Sequence, residues 1–160
     1  MSNYSICKEA TPAHAVELLP NLRQADVREC EKLYGCSAGD ALLASVATSD
    51  MAWAFLNDEE ECMGIAGVGD TGVEDYGSIW MVSSDELFER YKLPFLRNAK
   101  RMVEEFHQDY PVLTNVVDPH NHVHVKWLAW MGFDFTRVLH IGPLRMPFIS
   151  FERRHPCAWE

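Results

Sequence analysis

The spacing of apolar and polar positions changes period several times along the chain, and each change marks an element. Residues 4–9 alternate, as a strand does when one face is buried. Thr11-Pro12 then sets a capping hydroxyl before a proline suited to a first helical turn, which predicts a helix from about Ala13. Residues 26–34 and 39–48 carry apolar side chains at helical spacing, Val27/Cys30/Leu33 in the first and Leu42/Leu43/Val46 in the second. From Ala52 the period shortens. Residues 52–56 and 63–68 are short apolar runs either side of the acidic stretch 57–61, which reads as a hairpin, and residues 78–82 add a third strand. Pro94 opens a helix in which Phe95, Leu96, Ala99, Met102, Val103 and Phe106 form one stripe while Arg97, Lys100, Arg101, Glu104 and Glu105 face water. Residues 113–117 predict a strand, and Asn121 caps a helix that ends near Gly132, where glycine supplies a left-handed terminus. Two strands, 133–140 and 146–151, close the pattern.

The predicted order is strand, two or three helices, a three-strand meander, helix, strand, helix and two strands. It contains no internal repeat or low-complexity linker, which predicts one domain over residues 1–160. With 48% apolar residues the chain can bury a sizeable core, and its formal net charge of -10 argues against a nucleic-acid partner, which would need a basic face. No apolar run approaches the ~18 residues of a membrane span, and no basic stretch followed by an apolar segment opens the chain, so a soluble intracellular protein is expected. The five cysteines (Cys7, Cys30, Cys36, Cys62, Cys157) are odd in number and lack paired CxxC spacing, which points to reduced thiols rather than a disulfide framework or zinc ribbon.

Some residues invite a chemical reading. His120, His122 and His124 alternate, and with Asp118 nearby they would share a face on a strand; on the helix predicted from Asn121 they do not, so no metal site is expected and packing or solvent exposure is their other role. Trp127, Trp130 and Met131 beside Leu128 fit core packing. The acidic stretch 58–61 is either solvated charge in a turn or an attraction for a basic substrate.

The order of elements resembles the GNAT acetyltransferase fold, an α/β (α+β) architecture. In it a mixed, mostly antiparallel sheet of six to seven strands is flanked by helices, and parallel strands four and five splay apart around acetyl-CoA. The segment Asn115-Val116-Val117-Asp118-Pro119-His120-Asn121, then Val125-Lys126-Trp127-Leu128 and Met131-Gly132-Phe133, carries the resemblance. It implies that backbone groups near Met81 and Val82 align the acetyl carbonyl and that Asn121 is the family's asparagine. The family's glycine-rich pyrophosphate loop, Arg/Gln-x-x-Gly-x-Gly/Ala, is replaced by residues 85–95, which hold no glycine and three acids. Arg90 and Lys92 are then the phosphate contacts, before the Pro94 helix, unless this is a solvated charged loop. Leu128 stands where the family has a tyrosine acid, so a proton donor would come from Tyr91, Cys36 or a histidine near Asn121 such as His124.

With Leu22-Arg23-Gln24-Ala25-Asp26, Ile79-Trp80-Met81-Val82-Ser83-Ser84-Asp85 and Pro147-Phe148-Ile149-Ser150-Phe151, the chain also resembles the internal virion protein A family of short-tailed lytic phages. That resemblance implies a virion or host-protein partner and a place in the host cytoplasm or virion. It leaves two functions open: an acetyl-CoA-dependent N-acetyltransferase acting on a host or phage amine, or a non-catalytic protein using the fold for virion morphogenesis or to bind a host enzyme.

Overall fold

The computed structural model describes residues 6–156, so Tyr4 of the expected first strand and Cys157 lie outside the described residues. One seven-stranded sheet runs in the order β1-β2-β3-β4-β5-β7-β6. Its strands are β1 (Ile6–Glu9), β2 (Met51–Leu56), β3 (Cys62–Asp70), β4 (Tyr76–Ser83), β5 (Val112–Val117), β6 (Asp134–Ile141) and β7 (Met146–Arg154). The helices are α1 (Pro12–Leu18), α2 (Gln24–Tyr34), α3 (Ala38–Thr48), α4 (Asp85–Arg90), α5 (Lys92–Asp109) and α6 (His122–Trp130), with a short 3₁₀ turn at Leu19–Asn21. All ladders are antiparallel except β4 with β5, the one parallel pair, joined by the α5 crossover.

Alternation along β4 sorts its side chains into two cores. Ile79 and Met81 pack with Phe95, Val103 and Phe106 of α5 and Trp127 and Leu128 of α6. Val82 and Trp80 pack on the other face with Ala15 and Leu18 of α1 and Leu42 of α3. A bulge between Phe55 and Leu56 opposite Cys62 and Gly64 resets the parity of β3, so Met63 and Val68 reach the α5 core although their offset along the chain is odd.

Two expectations need correction. The segment after β4 is a helix, α4, with Asp85 and Glu86 in its first turn, rather than an open charged loop. Helix α5 begins at Lys92, two residues before Pro94, with Tyr91 at its N-cap and no side-chain cap. Proline at the third helical position is compatible with this, because the first-turn N–H groups have no intrahelical acceptor.

Phe95 is the hub of the larger core. It is fully buried, meets Phe55 edge-on at 5.2 Å and Phe88 at 5.3 Å, and stacks on Trp127 at 5.8 Å. Phe95→Ala is expected to lower unfolding free energy by about 3–5 kcal/mol, read from the shift of a urea midpoint at unchanged slope.

Candidate active site

Strands β4 and β5 pair only at Tyr76↔Val112, Gly77↔Leu113 and Ser78↔Thr114, and then part. The backbone groups of β4 that face the resulting slit can be identified by alternation. Ser84 N–H donates to Met63 O on β3 at 2.8 Å, so Ser83, Met81 and Ile79 face the other way, into the slit, while Val82 pairs toward Ile65 on β3. Buried backbone groups need partners. The Asn115 side-chain amide donates to Ile79 O at 2.7 Å, Arg23 N–H donates to Ser83 O at 2.9 Å, and Ser83 N–H donates to Asp26 Oδ2 at 2.9 Å. Met81 is the remaining slit-facing position between them.

Helix α2 therefore lies as a strut across one side of the slit, and α6 closes the other. Their side chains meet through it. Asp26 Oδ1 accepts from Arg23 Nη1 at 3.0 Å and from Asn121 Nδ2 at 3.0 Å, and His124 Nε2 lies 3.4 Å from the same oxygen. Arg23 also donates to Asn121 Oδ1 and lies over the Phe88 ring. Glu29 Oε2 accepts from Asn121 Nδ2 at 2.9 Å and from Asp118 N–H at 3.4 Å, and Lys32 Nζ donates to Asp118 Oδ2 at 2.9 Å. Gly35 ends α2 in a left-handed conformation, and Gly142 of the β6–β7 turn comes so close to Lys32 O that a Cβ there would sit 2.1 Å away.

The slit contains a cavity of about 70 Å³. Its polar lining includes Asp26, Glu29, Ser45, Asn115 and His124, and its apolar walls include Met81, Val82, Trp127, Leu128 and Phe151. His124 Nε2 and Trp127 Nε1 are buried without a hydrogen-bond partner.

No family model matches the chain, and no curated protein matches it significantly. Solved structures do. An acetyltransferase of the GNAT family from Bacillus anthracis is 8% identical, with 96% of each chain covered and a TM-score of 0.71. A ribosomal-protein-S5-alanine acetyltransferase from Vibrio fischeri is 13% identical over 100% of this chain and 97% of its own, at 0.68. A GCN5-related N-acetyltransferase from Kribbella flavida is 13% identical over 94% and 98%, also at 0.68. The chain has the GNAT acetyltransferase fold.

Within that fold the residues singled out from the sequence fall in three places. Met81 and Val82 line the slit cavity, but only the backbone of Met81 faces the slit. Asn121 is buried and stands first before α6, yet its side chain makes no capping bond; both ends are taken by Arg23, Asp26 and Glu29, which corrects the capping role. His124 lines the cavity. Tyr91 is buried in the α5 core with its hydroxyl accepting from Asp58 N–H, and Cys36 lies on an outer groove. Arg90 is exposed and pairs with Glu86, and Lys92 is exposed. Of the aromatic stripe, Trp127 and Met131 are buried while Trp130 is half exposed under Lys100. His120 and His122 are exposed, and no group of three or more His, Cys, Asp or Glu among the described residues is placed to hold a metal ion. Glu29 and Asp26 escaped the sequence reading; a carboxylate at the start of a helix and one turn later carries no pattern that separates it from a surface charge.

Fit to an acetyl-CoA molecule is divided. A small acyl group matches the cavity's size and walls. At the nucleotide end, α4 replaces a glycine turn, Asp85 and Glu86 repel phosphate, and of the first N–H groups of α5 the one at Pro94 is missing.

Burial pushes the Glu29 carboxyl up to about 7, against the Asn121 bond and with the help of the Asp26 charge. Burial holds the His124 imidazole below its usual value, with Asp26 opposing. Burial also acts to raise Asp118, but the His120 N–H and the Lys32 ammonium outweigh it and its carboxyl titrates low. Cys30, which lines the cavity, is pushed up to about 12 by burial, so it is a thiol rather than a thiolate at neutral pH.

These shifts set a pH dependence. The native state binds the Glu29 proton more tightly than the unfolded chain, so its contribution is full below about 4.5 and is lost as pH rises to about 7. The lowered His124 acts in the opposite sense, costing stability as pH falls below its ordinary value of 6.5. Glu29→Gln is expected to be more stable than the parent at pH 8 by on the order of 1–3 kcal/mol, with the gain vanishing toward pH 4.5, as chemical denaturation at the two pH values will read. Asp26→Ala, which strands the buried Arg23 guanidinium, is expected to cost about 3–5 kcal/mol in the same assay.

Proposed function

We propose that this chain is an N-acyltransferase, acting as a single domain over residues 1–160, that passes an acyl group from an acyl thioester, acetyl-CoA first among them, to a primary amine in the β4–β5 slit. The observation that supports it is the place of Glu29: a partly buried carboxylate on the wall of the slit cavity, beside slit-facing Met81, titrating near neutrality. The thioester supplies an activated carbonyl carbon, and what the protein must add is position, dryness and a proton acceptor. The Met81 N–H would hold the acyl carbonyl oxygen, and Val82, Leu128 and Phe151 would keep water from it.

An amine is protonated at neutral pH and has no lone pair to offer. Glu29 takes that proton. Both of its hydrogen bonds fall on Oε2, which orients the group and leaves Oε1 for the ammonium. A carboxyl titrating near 7 is about half ionised at working pH, the condition under which a base combines availability with strength. His124, kept neutral by burial, fixes no charge in the cavity. With leucine at 128, protonated Glu29 would return its proton to the thiolate released as the C–S bond breaks, and the second proton of the attacking nitrogen leaves to water. Arg90 and Lys92 would serve the phosphates.

A second reading is a non-catalytic protein that keeps the fold for contact with a virion component or a host enzyme in the host cytoplasm, as the resemblance to phage internal virion proteins implies. The observation that favours it is at Ser83, whose N–H and C=O are both taken by α2. Calorimetric titration with acetyl-CoA and a coupled assay of thiol release separate the two. Acyl transfer is expected in the parent, with kcat in Glu29→Gln lower by about 10²- to 10⁴-fold, KM little changed and the pH limb near 7 gone. Absence of both binding and thiol release would sink the first reading, and capture of a virion component or host enzyme would support the second.

A further inference from the structure

We infer that the open groove on the α3 side of the sheet is the acceptor entrance, shaped for an extended amine carrying a second positive charge that Asp40 and Asp70 read. This rests on acyl transfer in the slit and adds the class of acceptor. The groove is about 700 Å³ and lies against α3, the end of β3 and the outer part of β4. Tyr34, Ser45, Trp80 and Asn115 line both it and the slit cavity, so an acceptor lying in the groove has its tip at the point where β4 and β5 part. Beyond that point the cavity holds Glu29, with both of its hydrogen bonds on Oε2, and His124, whose Nε2 faces Asp26 Oδ1 at 3.4 Å.

The groove's chemistry is cation-seeking along its length. Two exposed carboxylates stand in it, Asp40 in the first turn of α3 and Asp70 at the end of β3, and no lysine or arginine is among its described lining residues. Asp70 spends one oxygen, Oδ1, on the Gly72 N–H. Of the charged groups on neighbouring elements, Lys32 of α2 is tied to Asp118, and Asp50, which follows α3, adds a further acid bonded to the Tyr110 hydroxyl. Two aromatic rings complete it. Trp80 is held in place by its Nε1–H bond to Ser49 Oγ at 2.7 Å, and Tyr34 is 53% exposed, so two aromatic side chains border the path of an alkylammonium. A protein with a net charge of -10 draws such a ligand from solution. A neutral or acidic acceptor gains nothing from this lining, and a simple monoamine fills only the tip.

The test is direct binding, measured by calorimetry at low salt without any acyl donor, using spermidine, hexylamine and a short lysine-containing peptide. The variant is the double substitution Asp40→Asn with Asp70→Asn, at exposed positions, its folding checked by an unchanged thermal midpoint. Spermidine is expected to bind more tightly than hexylamine and to lose about tenfold in Kd in the variant, with a similar loss on raising salt. A lysine peptide that binds in place of spermidine and weakens in the same variant upholds the groove and makes the amine a protein side chain. Binding of none of the three, or equal binding to parent and variant, overturns the inference. Donor-dependent transfer is assayed separately: binding without transfer sinks the acyl-transfer reading and leaves the groove, whereas transfer unaffected by the double substitution sinks the groove alone.

Discussion

The structure depends on how the backbone is satisfied where β4 and β5 part. Two parallel strands that stop pairing inside a covered sheet leave a column of N–H and C=O groups facing each other across a gap, and each unpaired group there costs on the order of 1–3 kcal/mol. The chain answers this with side chains. Asn115 reaches across to Ile79, and the N-terminal turn of α2 reaches in to Ser83. The slit can therefore persist in the folded protein without collapsing into a continuous ladder, and α2 is held over it by the same bonds.

Those bonds bring charge into a region with little water, and the cost is distributed unevenly. Arg23 and Asp26 neutralise each other, as do Lys32 and Asp118, while Asn121 joins the first pair to Glu29 through both ends of its amide. Glu29 is the carboxylate left over. It accepts bonds but has no cation of its own, and it stands near Asp26 and Asp118, so its proton is held to about neutrality. An acid–base group near pH 7 arises here from the same arrangement that stitches the slit, with no separate device needed.

Most of the architecture was legible because it is written in periods. The stripe from Phe95 to Phe106, the Ala52 to Val68 hairpin and the alternation in β4 are set by burial on one face, and burial leaves its mark on every second or every third and fourth residue. Helix α4 was not legible. Its six residues are too short for a period, and its acids read equally well as loop. The polar cluster was invisible for a different reason. Arg23 and Asp26 meet Asn121 through contacts 98 and 95 residues apart, and nothing local to Arg23 or Asp26 marks either as its partner. Asn121 shows the point sharply: its position before a helix suggested a cap, yet the Arg23 guanidinium takes the Oδ1 that would accept from a backbone N–H, while Asp26 and Glu29 of α2 take its Nδ2.

The two sides of the slit are chemically unlike. On the side of α4 and α5 the handholds for a nucleotide are thin, since a glycine-free helix with acids at its start and a proline in the next helix's first turn offer few free N–H groups. On the side of α2 and α3 the surface is organised: a groove with fixed aromatic rings and acids runs into a cavity with a titrating carboxylate.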